Sequence, residues 1–169
     1  SVQQSRYNKT VQFFTNRVQY MDDLNKDLTT FSRRARANGI QPCYRPNGTS
    51  DYPWHNTGIM SLFNEIQFYD YTKIVKRAYE TLPENYHLTL SYSEHNLDYA
   101  DSVVKAVLDT GVNMAVVFRN KDKPKKFLGL DVIDGDQDDL RFLDPQGVVV
   151  GLYAKGKAKQ DTSGFVIDA

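Results

Sequence analysis

The pattern of hydrophobic and polar positions divides the chain into one long helix followed by alternating strands and helices. Between residues 11 and 35, apolar side chains recur every three or four positions, which is the spacing of one helical face. We predict a single core-facing helix that ends at Asn38-Gly39, since glycine adopts the positive φ found after helices. The apolar positions are Val11, Phe14, Val18, Met21, Leu24, Leu28, Phe31 and Ala35.

Short β-prone segments follow, separated by helical patterns and loops. The predicted strands are 40–45, 67–71, 86–92 and 112–118, and the predicted helices are 58–65, 74–82 and one that Asp98 caps and Gly111 ends. The strands end near Arg45, Asp70, Tyr92 and Arg119, at intervals of 25, 22 and 27 residues. This spacing is typical of βα units with parallel strands and right-handed crossovers.

The last quarter of the chain has a different pattern, with short strands and acidic or glycine-containing turns. Strands are predicted at 130–133, 140–143, 148–154 and 164–167. We interpret 140–154 as an antiparallel hairpin that turns at Asp144-Pro145-Gln146-Gly147. The predicted fold class is therefore α/β, with successive βα units and mainly parallel strands in an open sheet or incomplete barrel, plus a C-terminal antiparallel hairpin. A length of 169 residues suits one domain, residues 1–169.

Composition narrows the class of protein. The chain carries 21 basic and 21 acidic side chains, which argues against a global positive field for holding nucleic acid. Its one cysteine, Cys43, excludes an internal disulfide and a cysteine-rich metal site, and we interpret it as a buried apolar residue. No apolar segment approaches the roughly 20 residues that span a bilayer, and from the polar N-terminal residues we expect no signal peptide. We expect a soluble, cytoplasmic protein with no membrane partner.

Polar side chains follow each predicted strand, where ligands bind in parallel α/β folds. Arg45 and Arg119 are predicted to hold an anion, because guanidinium groups pair bidentately with carboxylate or phosphate. Asp70 and His95 are the acid–base candidates, and Lys73 is a candidate desolvated amine. The remaining predicted ligand-binding residues are Asn47, Ser50, Asp51 and Ser93.

Plainer interpretations of these residues stay open. Ser50 and Asp51 are also common helix caps, His95 also suits a solvated loop, and Lys73 also suits an exposed helix start. The segment 47–50 lacks the glycine pattern and Gly-Lys-Ser/Thr ending of a phosphate loop. The acidic segment Asp134–Asp139 suits Ca²⁺ or Mg²⁺ but lacks the bidentate glutamate of an EF-hand. We assign no metal and no cofactor.

Several longer strings resemble a bacteriophage family called "gene product 88-like". They are Val2–Arg6 with Lys9-Thr10, Arg45–Asp51, Phe68–Lys73, Asn85–Ser91, Ala115–Arg119, Asp134–Asp136 with Asp139–Phe142, and Gly151-Leu152 with Ala154–Gly156. The resemblance covers essentially the whole chain and implies a phage-type protein in a bacterial cytoplasm, without implying an activity. Longer relatives carry an upstream cysteine-rich segment, which we expect this chain to lack.

Three functions follow from these patterns. The leading hypothesis is recognition of a small anionic or phosphate-bearing ligand at the strand ends, with enzymatic activity left open. The second is association with nucleic acid, because Arg119–Lys126 carries five basic residues and one acidic residue, and Lys155, Lys157 and Lys159 form a further basic cluster. The third is non-catalytic binding of a host factor, which phage origin alone favours. The patterns do not predict an oligomeric state.

Overall fold

The structure, a computed structural model, describes all residues from Ser1 to Ala169 and contains one eight-stranded sheet. The strands are β1 Cys43–Tyr44, β2 Gln67–Thr72, β3 Tyr86–Ser91, β4 Asn113–Phe118, β5 Lys126–Phe127, β6 Leu130–Asp134, β7 Val149–Tyr153 and β8 Val166–Ile167. Their order is β1-β2-β3-β4-β7-β6-β5, and β8 pairs with the last residues of β4, beyond the point where β3 stops pairing. Only the pair of β5 and β6 is antiparallel, so the other strands end at one carboxyl edge.

The predicted fold class is confirmed, but the antiparallel hairpin lies earlier in the chain than predicted. It is formed by β5 and β6, and its turn residues Leu128 and Gly129 both have positive φ, as a tight two-residue hairpin turn requires. The predicted hairpin at 140–154 was wrong. Arg141–Leu143 is a 3₁₀ turn, and β7 runs parallel to β4 and β6. Parallel neighbours need a long crossover, and residues 135–148 supply it between β6 and β7.

The predicted long helix is two helices, α1 Val2–Thr15 and α2 Arg17–Ala37. Asn16 separates them: its backbone is non-helical, and its side chain accepts a hydrogen bond from the Gln19 N–H, which caps α2. The prediction of one core-facing helix was therefore wrong for the first half, where Phe14 is 77% exposed. The predicted end is confirmed, since α2 stops at Ala37 and Gly39 has φ of 64°.

Of the other predicted helices, two are shorter than predicted and one is capped by a different residue. Helix α3 is Ile59–Leu62 and α4 is Leu97–Thr110. Asn96, rather than Asp98, caps α4, because its side chain accepts a hydrogen bond from the Tyr99 N–H at 2.9 Å. Gly111 ends α4 with φ of 75°, as predicted. The predicted helix 74–82 is a 3₁₀ turn, Val75–Tyr79.

The helices cover one face of the sheet, and the crossover between β6 and β7 covers the other. Leu88 and Leu90, two residues apart in β3, point the same way and belong to two core clusters, one built with α2 and α3 and one built with α4. Tyr69 points oppositely and packs against Phe142 at 5.7 Å between ring centroids. No helix combines the length and hydropathy needed to cross a bilayer.

Candidate functional site

The loop that follows β1 is anchored by the buried carboxylate of Asp70. The backbone N–H and the side-chain amide of Asn47 both donate to Asp70 at 2.9 Å, and the Tyr86 hydroxyl donates at 3.1 Å. Burial raises the pKa of Asp70 to about 6, against the opposing effects of these hydrogen bonds and of the Arg77 charge. The structure thus joins Asn47 and Asp70, two of the predicted site residues, in one contact. Asp70 faces Asn47 and Tyr86 and is closed off from solvent.

A second carboxylate, Asp51, anchors the far end of the same loop. Asp51 accepts hydrogen bonds from the Thr72 hydroxyl at 2.7 Å, the Lys73 N–H at 2.8 Å and the Arg77 guanidinium at 2.6 Å. The Ser50 hydroxyl donates to the Asn47 side chain at 2.8 Å. Asp51 and Ser50 therefore give the loop a fixed shape.

This loop and helix α1 enclose a cavity of about 480 Å³, which we call the α1 cavity. It is lined by Arg6, Lys9, Thr10, Phe13, Phe14, Tyr20, Tyr44, Arg45, Pro46, Gly48, Thr49, Ser50, Tyr52 and Trp54. Three of these residues are cations, none is a carboxylate and six are aromatic. Two of the predicted ligand-binding residues, Arg45 and Ser50, belong to the lining.

The aromatic wall of the α1 cavity is a packed cluster. Phe13 packs edge-on against Tyr52 with ring centroids 5.0 Å apart, and Tyr20 stacks on Trp54 at 6.3 Å. The guanidinium of Arg17 lies over the Phe13 and Tyr52 rings at 4.8 and 5.1 Å. Because these side chains support one another, the wall keeps its shape without a ligand.

The three cations of the α1 cavity differ in their partners. Arg45 donates to Asp139 at 3.3 Å and lies 4.5 Å above the Tyr71 ring. Arg6 and Lys9 form no ion pair with a carboxylate. An adjoining cavity, lined by Lys9 together with Asp23 and Asp27, brings negative charge to the other side of that lysine. The cationic side of the α1 cavity is thus the side toward Arg6 and Arg45.

Three other predicted residues meet in a second cavity of about 480 Å³ at the start of α4, which we call the His95 cavity. Lys73, Ser93 and His95 all line it. His95 Nδ1 lies 3.0 Å from the Ser163 carbonyl, so Nδ1 carries the proton and Nε2 is left without a protein partner. The Lys73 ammonium lies 5.2 Å from the centre of the Phe165 ring. Ser93 is buried and binds the His95 N–H and the Gly164 carbonyl.

The structure does not assemble two of the predicted pairs. Asp70 and His95 make no hydrogen bond with each other, because Asp70 points to Asn47 while His95 lies on the next loop of the edge. Arg119 binds Asp168 and donates to the carbonyls of Lys159 and Asp161 at 2.9 and 2.8 Å. Arg119 therefore secures the C-terminal segment and shares no cavity with Arg45.

A third cavity, of about 510 Å³, was not predicted from the sequence, because residues 140–154 were interpreted as a hairpin and Asp134–Asp139 was considered only as a candidate Ca²⁺ or Mg²⁺ segment. Its lining mixes both signs of charge: Asp136, Asp138 and Asp139 lie beside Arg45 and Lys155. Asp136 is already within 2.9 Å of Lys123 and 2.8 Å of Lys155. No cluster of three or more potential metal-ligating side chains exists in the structure. The acidic segment therefore pairs with the protein's own cations.

Arg6 and Lys9 were also missed, although the sequence holds a signal for them. No acidic residue precedes Asp22, whereas Arg6, Lys9 and Arg17 fall in that stretch. The prediction of a core-facing helix directed attention to the apolar positions of α1 and away from its charged ones.

Fold and site together define an α/β protein with an open, mainly parallel sheet and with cationic cavities at its carboxyl edge. Within that class, the chain belongs to the Gene product 88 family, whose model matches residues 1–169. The family predicted from the sequence, one of bacteriophage proteins, is thereby confirmed. Neither a curated protein nor a solved structure is detectably similar to the chain.

Proposed function

We propose that this protein binds a small phosphate-bearing anion in the α1 cavity. The observation that carries the proposal is the lining itself, which contains Arg6, Lys9 and Arg45 but no carboxylate. An anion entering this space meets attraction from both walls, since Arg6 and Lys9 lie on α1 and Arg45 follows β1. Arginine offers a planar pair of donors that matches phosphate geometry, and lysine adds a compact charge.

The walls of the cavity favour a ligand that carries a flat ring beside its phosphate. Six aromatic side chains line the space, and aromatic surfaces gain most from stacked or edge-on contact with another ring. The volume of about 480 Å³ lies in the range of ordinary small-molecule sites. A nucleotide satisfies both requirements and is our preferred ligand class.

Two carboxylates, the buried Asp70 and the partly exposed Asp51, support this site without touching the ligand. Asp70 fixes Asn47, and Asp51 fixes the segment that continues from Ser50, so the loop is held in one shape before any ligand arrives. A preorganised loop avoids the entropic cost of ordering on binding. Asp70 and Asp51 are therefore proposed as positioning residues. Lys73 and His95 remain candidates for acid–base chemistry in the separate His95 cavity.

The proposal predicts a thermal shift that depends on Arg45. A nucleotide at about 100 times its dissociation constant should stabilise the protein by about 2.7 kcal/mol, which raises the melting temperature by several degrees. Arg45→Ala should abolish most of this shift, because it removes one of three cations from the cavity. The measurement is a melting curve with inorganic phosphate, a nucleoside monophosphate or a nucleoside triphosphate at constant ionic strength.

Asp139→Ala is the matched control for this experiment. It breaks the same 3.3 Å ion pair with Arg45 but leaves the guanidinium in place. We expect Asp139→Ala to keep the shift. Equal loss of the shift in both variants would show that the shift does not report direct contact between Arg45 and the anion, and would count against the proposed site. Absence of any shift in the wild-type protein with all three probes would refute the proposed function.

A further inference from the structure

Half of the eight basic residues in the two clusters of the C-terminal half form ion pairs within the protein. The ion pairs are Arg119 with Asp168, Lys123 with Asp134 and Asp136, Lys126 with Asp131, and Lys155 with Asp136. A cation that is paired with a carboxylate of the protein attracts an external polyanion less strongly than an unpaired cation does. In the segment Arg119–Lys126, three of the five cations are engaged in this way, and Lys121 and Lys125 are not.

Helix α1 has the opposite character. Arg6 and Lys9 are exposed cations without carboxylate partners, one helical turn apart. Tyr7 and Phe14, seven positions apart and hence on one helical face, are 64% and 77% exposed. Phe14, Arg6 and Lys9 also line the α1 cavity. Arg6, Lys9 and Phe14 therefore border the cavity together, and we call this part of the helix the α1 surface; Tyr7 lies beside Phe14, about 160° around the helix from Lys9 and outside the cavity lining.

We propose that the α1 surface and the α1 cavity together hold a single strand of nucleic acid. The inference rests on the proposed function, since the cavity would take one phosphate-bearing nucleotide of the strand. Single strands are held by cations that follow the backbone and by aromatic side chains on which bases stack. Arg6 and Lys9 supply the cations, and Phe14 supplies an aromatic ring on which a base can stack.

The shape of the site favours a single strand over a duplex or a lipid surface. Bases can stack on Phe14 only when their faces are unpaired and reachable, which a duplex prevents. A bilayer presents a flat charged surface, whereas here Arg45 and the loop 46–50 stand opposite α1 and close the space from the other side. The chain is neutral overall. Binding must accordingly come from a few local contacts with modest salt dependence.

Fluorescence anisotropy with a labelled oligothymidylate of about twelve nucleotides tests the inference. The strand should bind at least tenfold more tightly than thymidine monophosphate. For single strands, the logarithm of the affinity falls with the logarithm of salt by about 0.7 per phosphate contact, so Arg6→Ala with Lys9→Ala should reduce the slope by about 1.4. Lys105→Ala, at an exposed lysine of α4 that pairs with Asp109, should leave it unchanged.

Phe14→Ala separates stacking from charge. It should weaken binding by about tenfold while leaving the salt slope unchanged, because it removes a stacking surface and no charge. Leu108→Ala, at an exposed apolar residue of α4, is the control and should have no effect. Circular dichroism and melting curves of each variant establish that loss of binding does not reflect unfolding, since Phe14 and Leu108 are both largely exposed.

The outcomes distinguish this inference from the proposed function. If the monophosphate binds and the strand binds no more tightly, the strand inference is wrong and the small-ligand function stands. If neither binds, both are wrong. If vesicles of anionic phospholipid bind with the same sensitivity to Arg6, Lys9 and Phe14 while the strand does not, α1 is a lipid-binding surface and the inference fails.

Discussion

Asp70 shows how a single buried charge organises the loop above it. Its carboxylate is fully enclosed and receives three hydrogen bonds, two of them from Asn47. A carboxylate in this position costs free energy to desolvate, and the hydrogen bonds only partly offset that cost. The result is a pKa of about 6, which falls within the range of accessible experiments.

This raised pKa predicts a pH dependence of stability with a definite sign. The folded-state pKa of about 6 lies above the ordinary value of about 3.9, so the folded state binds the proton more tightly than the unfolded chain. The contribution of Asp70 to the free energy of unfolding should therefore fall as pH rises from about 4 to about 6. It should then stay constant, because both states are ionised above that range.

Asp70→Asn isolates the effect, because asparagine does not titrate. The free energy of unfolding of the wild-type protein, measured relative to this variant by urea denaturation, should decrease by up to about 3 kcal/mol between about pH 4 and pH 7. A difference that stays flat over this range, or that increases, would contradict the assigned pKa shift.

Asparagine, rather than aspartate, caps the N-termini of α2 and α4. Asn16 starts α2 and Asn96 starts α4, each by accepting a hydrogen bond from a backbone N–H three residues on. Asp98 lies in the first turn of α4, where its charge interacts favourably with the helix dipole without capping the helix. A side chain two positions into the helix cannot reach the N–H groups that a cap satisfies.

These roles predict unequal costs for two nearby substitutions. Asn96→Ala should lower the free energy of unfolding by about 1 kcal/mol, because an N–H of the first turn loses its partner. Asp98→Ala should cost only about 0.5 kcal/mol, and that cost should shrink at high salt. Chemical denaturation of both variants measures the difference, and a larger loss in Asp98→Ala would reverse the assignment of the cap.

Across the molecule, Arg77 joins segments that are distant in sequence. Its guanidinium donates to Asp51 at 2.6 Å, to Thr72 at 3.2 Å and to the Tyr86 hydroxyl at 2.6 Å. The loop after β1, the strands β2 and β3 and the 3₁₀ turn Val75–Tyr79 therefore meet at one buried cation. Removing the cation of such a network leaves the buried Tyr86 and Thr72 hydroxyls and the partly exposed Asp51 without one of their hydrogen-bond donors.

Arg77→Met should consequently destabilise the whole molecule by about 1–3 kcal/mol, because the buried Tyr86 hydroxyl loses a donor and Asp51, which solvent partly screens, loses its ion-pair partner. Lys76→Met, at the neighbouring exposed cation, is the matched control and should change stability by less than about 0.5 kcal/mol. Denaturation midpoints of the two variants provide the comparison. Similar midpoints would show that the network contributes little to stability.

The residues chosen from the sequence fall into three groups in space. Arg45, Asn47, Ser50, Asp51 and Asp70 converge on the loop after β1, and Lys73, Ser93 and His95 converge on the His95 cavity. Arg119 joins neither group. The shared carboxyl edge was predictable because parallel strands place their ends together. The division into separate cavities was not, because adjacent strand residues such as Asp70 and Tyr71 point to opposite faces.

The properties that could be predicted from the sequence alone depend on residues that are close together along the chain. Apolar periodicity, turn glycines and the spacing of strands established the α/β class, the parallel strands and the end of α2 at Asn38-Gly39, because these features arise within one segment or between neighbouring segments. The strings that resemble the Gene product 88 family are likewise short runs of consecutive residues.

Other properties arose from contacts between residues far apart in the chain. The insertion of β7 between β4 and β6, and the placement of the crossover 135–148 on the opposite face, turned a predicted hairpin into a parallel unit. The same long-range packing paired Arg119 with Asp168 and left Arg6 and Lys9 without carboxylate partners. Which charges remain available to a ligand depends on the folded arrangement as a whole, because an ion pair requires that two distant segments come within a few ångströms.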